Sequence, residues 1–295
     1  MKKRIIFRAF VIIIALMFLG LFFINARPRP VNANLYQMGG SSAAAMTTID
    51  VETGRVIFSK NMHKKMGMAS TTKIVTALTV LENSKDIDIK FVVDDRSIGI
   101  EGSSIYLKKG DEYSTRELLY GLMLRSGNDA AVALALSIAD SVEEFCVLMN
   151  ETARKYGAEN SNFTNPHGLD DKGHYTTAYD LAILTAAALK NETFSDIVKT
   201  QSITVNGQVW VNKNRLLRED ESFIGVKTGF TKKCGRCFVG AKEVDGRKAV
   251  CVVLNCGPMF EETKVLLNEA ADIMREEIKE IKRQEAIKKT FWGAV

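Results

Sequence analysis

The sequence predicts an α+β fold: an antiparallel sheet built from both ends of the chain, flanked by helices, with a helical insert between. Three observations carry this. Strand-like runs occur near residues 43–59 and return across 202–254. The block between them, about 70–190, is mostly helical by apolar period and by caps. A long amphipathic stretch, Glu261 to about Ile287, then places Val265, Leu266, Leu267, Ala270, Ile273 and Met274 on one side. A cleft is expected where the insert meets the sheet.

Composition narrows the function. The chain has 295 residues, 46% hydrophobic and 25% charged, which are ordinary globular values. Its net charge of +5 comes partly from Lys2, Lys3, Arg4 and Arg8 and from a Lys-rich end. No basic stripe interleaved with aromatics is present, so no nucleic-acid partner is expected. The five cysteines are odd in number and too sparse for a disulfide framework. Cys234-Gly-Arg-Cys237 has thioredoxin spacing, but a strand rather than a helix follows it. In a strand the two Cα atoms stand ~10 Å apart, beyond the ~7 Å reach of a disulfide. No second Cys pair follows for zinc, and His63, His167 and His174 show no ligand spacing to this one. No metal and no cofactor are expected.

In chain order, residues 1–26 read as a signal peptide or N-terminal membrane anchor. Lys2-Lys3-Arg4 precede an apolar run from about Ala9 to Ile24, between a signal core and a full span in length. The positive-inside rule puts all later residues outside the cytoplasm. Residues 27–42 form a linker starting at Arg27-Pro28-Arg29-Pro30. Residues 43–275 form the folded domain, and 276–295 a charged helix or tail.

Within the domain, Ala43–Asp50 and Val56–Ser59 read as strands joined at Glu52-Thr53-Gly54. A buried helix beginning near Ser70 runs to about Asn83. Phe91-Val92-Val93 and Ser104–Leu107 are strand-like. Ser114-Thr115-Arg116-Glu117 is a capping box for a helix through Met123. An alanine-rich helix covers Asp129–Ile138, and Ser141 caps another that stops at Gly157. A polar loop, Asn160–Tyr175, precedes a helix from Thr177 to about Lys190. Asn206-Gly207 marks a hairpin between Ser202–Val205 and Val209–Val211. Gly225–Phe230 reads as a strand. Cys237–Val244 and Lys248–Leu254 pair around Asp245-Gly246.

Three short stretches carry candidate chemistry. In Met68-Ala69-Ser70-Thr71-Thr72-Lys73, a helix start sets Ser70 and Lys73 one turn apart on one face. A serine hydroxyl needs a base within hydrogen-bond reach, and a lysine that loses its proton can serve. The helix N-terminus aims free N–H groups at developing negative charge. Ser126-Gly127-Asn128, between two helices, offers a second hydroxyl and an amide. Lys227-Thr228-Gly229-Phe230, on a strand, offers a cation, a hydroxyl and, at Gly229, backbone room for a ligand.

Together these stretches resemble the serine D-Ala-D-Ala carboxypeptidases, the low-molecular-mass penicillin-binding proteins, which share an S-x-x-K, S-x-N, K-T-G triplet. The resemblance runs from about Ala43 to Met274. It includes Ile49-Asp50 with Thr53-Gly54-Arg55-Val56, then Asn165-Pro166-His167-Gly168-Leu169, and Thr231 after the third stretch. It implies removal of the terminal D-alanine from peptidoglycan stem pentapeptides through an acyl-enzyme, with β-lactam antibiotics as covalent inhibitors. Ser70 is then the nucleophile, Lys73 its base and Ser126 the proton donor to the leaving amine. Asn128 holds Lys73 and the substrate amide. Lys227 and Thr228 take the terminal carboxylate, and the N–H groups of Ser70 and Phe230 form the oxyanion hole. His167 and Asp180 match positions near the site in relatives. The domain is expected on the outer face of the bacterial membrane, tethered by an uncleaved N-terminal segment, or secreted to the cell wall. Two alternatives remain: a class A-like β-lactamase, for which Glu159 is the only glutamate between Gly157 and Tyr175, and a non-catalytic peptidoglycan-binding protein.

Overall fold

The computed structural model describes residues 36–37 and 41–292. Residues 1–26 and most of the linker 27–42 lie outside the described residues. Among the described residues no helix is long and apolar enough to cross a membrane.

Strands from the two ends of the domain meet in one antiparallel sheet. Ala45–Asp50 (β1) pairs on one side with Val56–Lys60 (β2) and on the other with Arg247–Leu254 (β9). Next come Gly235–Val244 (β8) and Phe223–Thr231 (β7). The order across the sheet is β2-β1-β9-β8-β7. Strand alternation splits β9 between two cores. Val250, Val252 and Leu254 face the helical insert. Ala249, Cys251 and Val253 face the C-terminal helix. Both faces are covered, which explains the unbroken apolar run of β9.

The insert begins with a 3-10 turn, Ala69–Thr72, before the buried helix α1, Lys73–Asn83. The α-helix thus starts three residues later than the sequence suggests. The short strands Lys90–Val92 (β3) and Glu112–Ser114 (β4) pair together. Ser104–Leu107 is not a strand. The N–H groups of Ile105 and Leu107 instead donate to the buried Asp129 carboxylate, so no ladder partner is needed. The capping box at Ser114 and Glu117 is complete and opens α2, Thr115–Tyr120, which continues as a π-helical turn, Gly121–Arg125.

Helices α3 (Asn128–Leu136), α4 (Val142–Lys155), α5 (Ala178–Leu189) and α6 (Glu192–Lys199) follow, then the hairpin Ser202–Val205 (β5) and Gln208–Val211 (β6). The last helix, α7, runs unbroken from Met259 to Trp292, through the expected domain end at 275. Asp50 accounts for the Ile49-Asp50…Thr53-Gly54 pattern. Its carboxylate caps the N–H groups of Glu52 and Thr53 and pairs, fully buried, with Arg247. This fixes the β1–β2 turn against β9.

Candidate active site

The turn that carries Ser70 is held from two sides. Ala69, just before Ser70, takes a left-handed φ of 49°, unusual for a residue with a Cβ. From the loop 160–175, His174 reaches under the turn. Its Nδ1 accepts from the Thr164 N–H (3.1 Å), so Nε2 carries the proton and donates to Thr72 Oγ1 (2.9 Å). Thr72 in turn donates to the Ala69 carbonyl (2.8 Å). Burial pushes the His174 imidazole down to about 4, which keeps it neutral. Sequence reasoning missed His174, because no motif spacing links it to a turn a hundred residues away.

On the other side β7 lies against the turn. A Cβ at Gly229 would stand 3.0 Å from the Ser70 nitrogen and from the Met68 carbonyl. The absence of a side chain at Gly229 lets the turn that carries Ser70 approach the strand this closely.

Ser70 and Lys73 stand 3.1 Å apart, Oγ to Nζ. Lys73 is fully buried and also donates to Asn128 Oδ1 (2.7 Å) and to the main-chain carbonyl of His167 (2.6 Å). A neutral amine has two N–H bonds and one lone pair. The two fixed acceptors claim the N–H bonds and leave the lone pair facing Ser70 Oγ. Protonation is opposed on every side but one. Burial first, then the cations Lys227 and Lys213, push the Lys73 pKa well below the ordinary lysine value, and only Asp129 works the other way. Lys213 is a second residue that the sequence did not single out. It is exposed, with Nζ on Ser103 Oγ (3.0 Å) and its N–H on the Leu124 carbonyl.

Asn128 is itself clamped, its amide N–H donating to the Glu101 carbonyl. Ser126, buried at the end of the π turn, has a left-handed φ of 63°. Lys227 is also fully buried, with Nζ on the Thr228 carbonyl (3.0 Å). Burial, reinforced by Lys213, brings its pKa down to about 7. Thr228 is half-buried, and the Phe230 ring is exposed on the strand edge. The His167 imidazole accepts from the Leu169 N–H, and burial with Lys73 nearby lowers its pKa to about 4. Its contact with the site is through its carbonyl. Asp180 touches none of these groups. Its carboxylate accepts from Asn160 N–H and Ser161 Oγ and so ties down the start of the loop.

The cysteines are buried and free, and Cys234 lies in the turn just before β8 rather than on the strand.

Comparison with known proteins agrees with this geometry. The peptidase family described as D-alanyl-D-alanine carboxypeptidase matches residues 33–257. Bacillus subtilis D-alanyl-D-alanine carboxypeptidase DacF is 35% identical over 220 residues, 72% of this chain and 57% of that protein. Escherichia coli DacD is 34% identical over 225 residues, 72% of this chain and 58% of that protein. The chain thus spans a little over half the length of these curated relatives. Among solved structures, a Streptomyces DD-transpeptidase superposes with a TM-score of 0.74 at 30% identity, covering 79% of this chain and 98% of that one. DacD of Francisella tularensis gives 0.72 at 28% identity, over 77% and 69%. With the family match and the sheet-and-insert fold in agreement, this chain belongs to the D-alanyl-D-alanine carboxypeptidase family of serine peptidases.

Proposed function

We propose that the protein is a serine D-Ala-D-Ala carboxypeptidase that releases the terminal D-alanine of peptidoglycan stem pentapeptides through an acyl-enzyme, and that penicillins acylate the same serine. The observation that carries this is the Ser70–Lys73 pair, with both amine hydrogens of Lys73 claimed by Asn128 and by the His167 carbonyl. Ser70 attacks the carbonyl between the two D-alanines while Lys73 takes its proton. The N–H groups of Ser70 and Phe230 receive the oxyanion. Ser126 passes a proton to the departing amine. Lys227 and Thr228 hold the terminal carboxylate, which restricts the enzyme to chain ends.

The test is mass spectrometry of a pentapeptide incubated with the protein, alongside labelling by a fluorescent penicillin. Expected are loss of one D-alanine, a covalent adduct on Ser70, and neither in Ser70→Ala. Loss of a nucleophile typically costs several orders of magnitude. An adduct that persists in Ser70→Ala would sink the assignment. Rapid penicillin turnover without D-alanine release would favour the β-lactamase reading, and the absence of both a binding protein. The same acyl-enzyme with an amine acceptor gives transpeptidation, the activity named for the Streptomyces relative. An added D-amino acid that replaces water in the product would reveal it.

The proposed setting is the outer face of the bacterial membrane or the cell wall, with residues 1–26 as leader or anchor. Protease accessibility in intact spheroplasts tests this. Protection of the domain there would contradict it.

A further inference from the structure

Asn128 serves the proposed reaction only if its amide points one way. Its Oδ1 must face Lys73 to accept from the amine (2.7 Å). Turned over, the amide would present its NH2 group instead and donate to the lone pair that Ser70 needs. The direction is set by the Glu101 carbonyl, 2.5 Å from Nδ2. A carbonyl can only accept, so the amide nitrogen must face it, and the oxygen is left for Lys73. The Ser103 carbonyl, two residues on, accepts from the Asn128 main-chain N–H (2.7 Å). Between them Gly102, with a φ of +95°, lets the chain come this close, since a Cβ there would lie 2.8 Å from Asn128 Nδ2.

Segment 101–107 forms neither helix nor strand, so no ladder holds the two carbonyls in place. Asp129 does, the chain neighbour of Asn128 and only 1% exposed. Its carboxylate accepts from Ser104 Oγ (2.5 Å), from the Ile105 N–H (3.1 Å) and from the Leu107 N–H (3.2 Å). A fourth bond, from the Ala130 N–H (2.9 Å), ties the same carboxylate to the first turn of α3. Ile105 and Leu107 are themselves buried, so their N–H groups have no ready substitute for this acceptor. None of these bonds goes to Ser70 or Lys73. Asp129 reaches the reaction only through the segment it holds.

We propose that Asp129 is a positioning residue: by fixing segment 101–107 it sets which way the Asn128 amide faces, and so keeps the lone pair of Lys73 free for Ser70. This rests on the carboxypeptidase reading, which supplies the role of Lys73. Asparagine at position 129 keeps the size of the side chain. It offers one acceptor oxygen in place of two and turns an NH2 group toward groups that are themselves donors. The segment then backs away, the Glu101 carbonyl leaves Nδ2, and the Asn128 amide is free to turn over.

The experiment is a double-substitution cycle on the full chain. It reads acylation by a fluorescent penicillin, D-alanine release from a pentapeptide, and the Tm of each variant. Asp129→Asn should slow both reactions about tenfold. In the Asn128→Ala background no amide remains to be oriented, and there the same substitution should cost less than about twofold. A merely structural loss would cost the same factor in both backgrounds. Ser104→Ala removes one of the four contacts and should cost about threefold, again only while Asn128 is present. Its cycle decides the matter by the same criterion if Asp129→Asn does not fold. Equal factors with and without Asn128 overturn the assignment and leave the carboxypeptidase reading intact, and so does a folded Asp129→Asn with wild-type acylation. A wild-type protein that neither releases D-alanine nor takes up penicillin overturns the reading itself, and the assignment with it.

Discussion

The carbonyl oxygen of His167 lies 2.6 Å from Nζ of Lys73, while the imidazole of the same residue turns away to accept from the Leu169 N–H. A main-chain carbonyl has no titration of its own and carries no formal charge. With Asn128 Oδ1 it orients Lys73 without adding a negative charge that would raise its pKa. Lys73 is thereby aimed at Ser70 in surroundings that lower its pKa. His167→Gln should therefore retain most activity if the loop keeps its path.

Lys73 and Lys227 should fail differently when replaced by arginine. Guanidinium does not give up its proton in proteins, so Lys73→Arg removes the base and nearly stops acylation. Lys227→Arg keeps a cation near the carboxylate with altered geometry, and some acylation should survive. Stopped-flow acylation by peptide and by penicillin checks both. A vigorous Lys73→Arg enzyme counts against the scheme. A Lys227→Arg enzyme as dead as Lys73→Arg would mean that Lys227 positions the catalytic groups.

The pH profile follows from the two lysines. In the proposed scheme Lys73 works as a neutral amine, so kcat/KM should rise with pH through its pKa, which lies well below the ordinary lysine value. Lys227 must carry its proton to meet a carboxylate, so kcat/KM falls again as pH passes about 7. A bound carboxylate favours the charged form of Lys227, so the alkaline limb of kcat should lie at higher pH than that of kcat/KM. Profiles with a carboxylate substrate and with its amide separate the two effects. An alkaline limb identical in kcat and kcat/KM would remove Lys227 from the carboxylate site.

Gly168→Ala should disable the site from the loop side. The residue has a φ of +87°, where alanine costs about 1–2 kcal/mol, and its Cβ would lie 2.0 Å from the Ala69 carbonyl oxygen. That oxygen is backbone next to the nucleophile and has no rotamer by which to yield. The loop must back away and take the His167 carbonyl from Lys73. Acylation should drop at least tenfold, with a lowered Tm. A variant with wild-type acylation would show that the loop contact is dispensable.

His174 links stability to acid. Its pKa is about 4 in the folded chain, against 6.5 for a free imidazole. Between those values the unfolded chain binds a proton that the folded chain excludes. Stability is therefore full above pH 6.5 and falls as pH drops toward 4, on the order of 3 kcal/mol across the window. Urea unfolding at a series of pH values measures this. His174→Gln, which cannot titrate, should be less stable at pH 7 but flatter between pH 6.5 and 4. An unchanged slope would assign the acid sensitivity to other groups.

Local signals were legible in the chain itself. The capping box at Ser114 needs only neighbours, and so do the hairpin turns Asn206-Gly207 and Asp245-Gly246, and each stands where the sequence puts it. The Ser70–Lys73 spacing is likewise one helical turn and survives the replacement of an α turn by a 3-10 turn. Ser104–Leu107 misled because an apolar run carries no record that a side chain, Asp129, will satisfy its N–H groups. What only the tertiary structure decided are contacts between residues far apart in sequence: the His167 carbonyl on Lys73, His174 beneath Thr72, Gly229 against the nucleophile turn, and Lys213 near two buried lysines. Period and capping are properties of a few consecutive residues, so the sequence determines them. A lysine's proton affinity is set by the dielectric and the charges that packing gathers around it, and those come from every part of the fold at once.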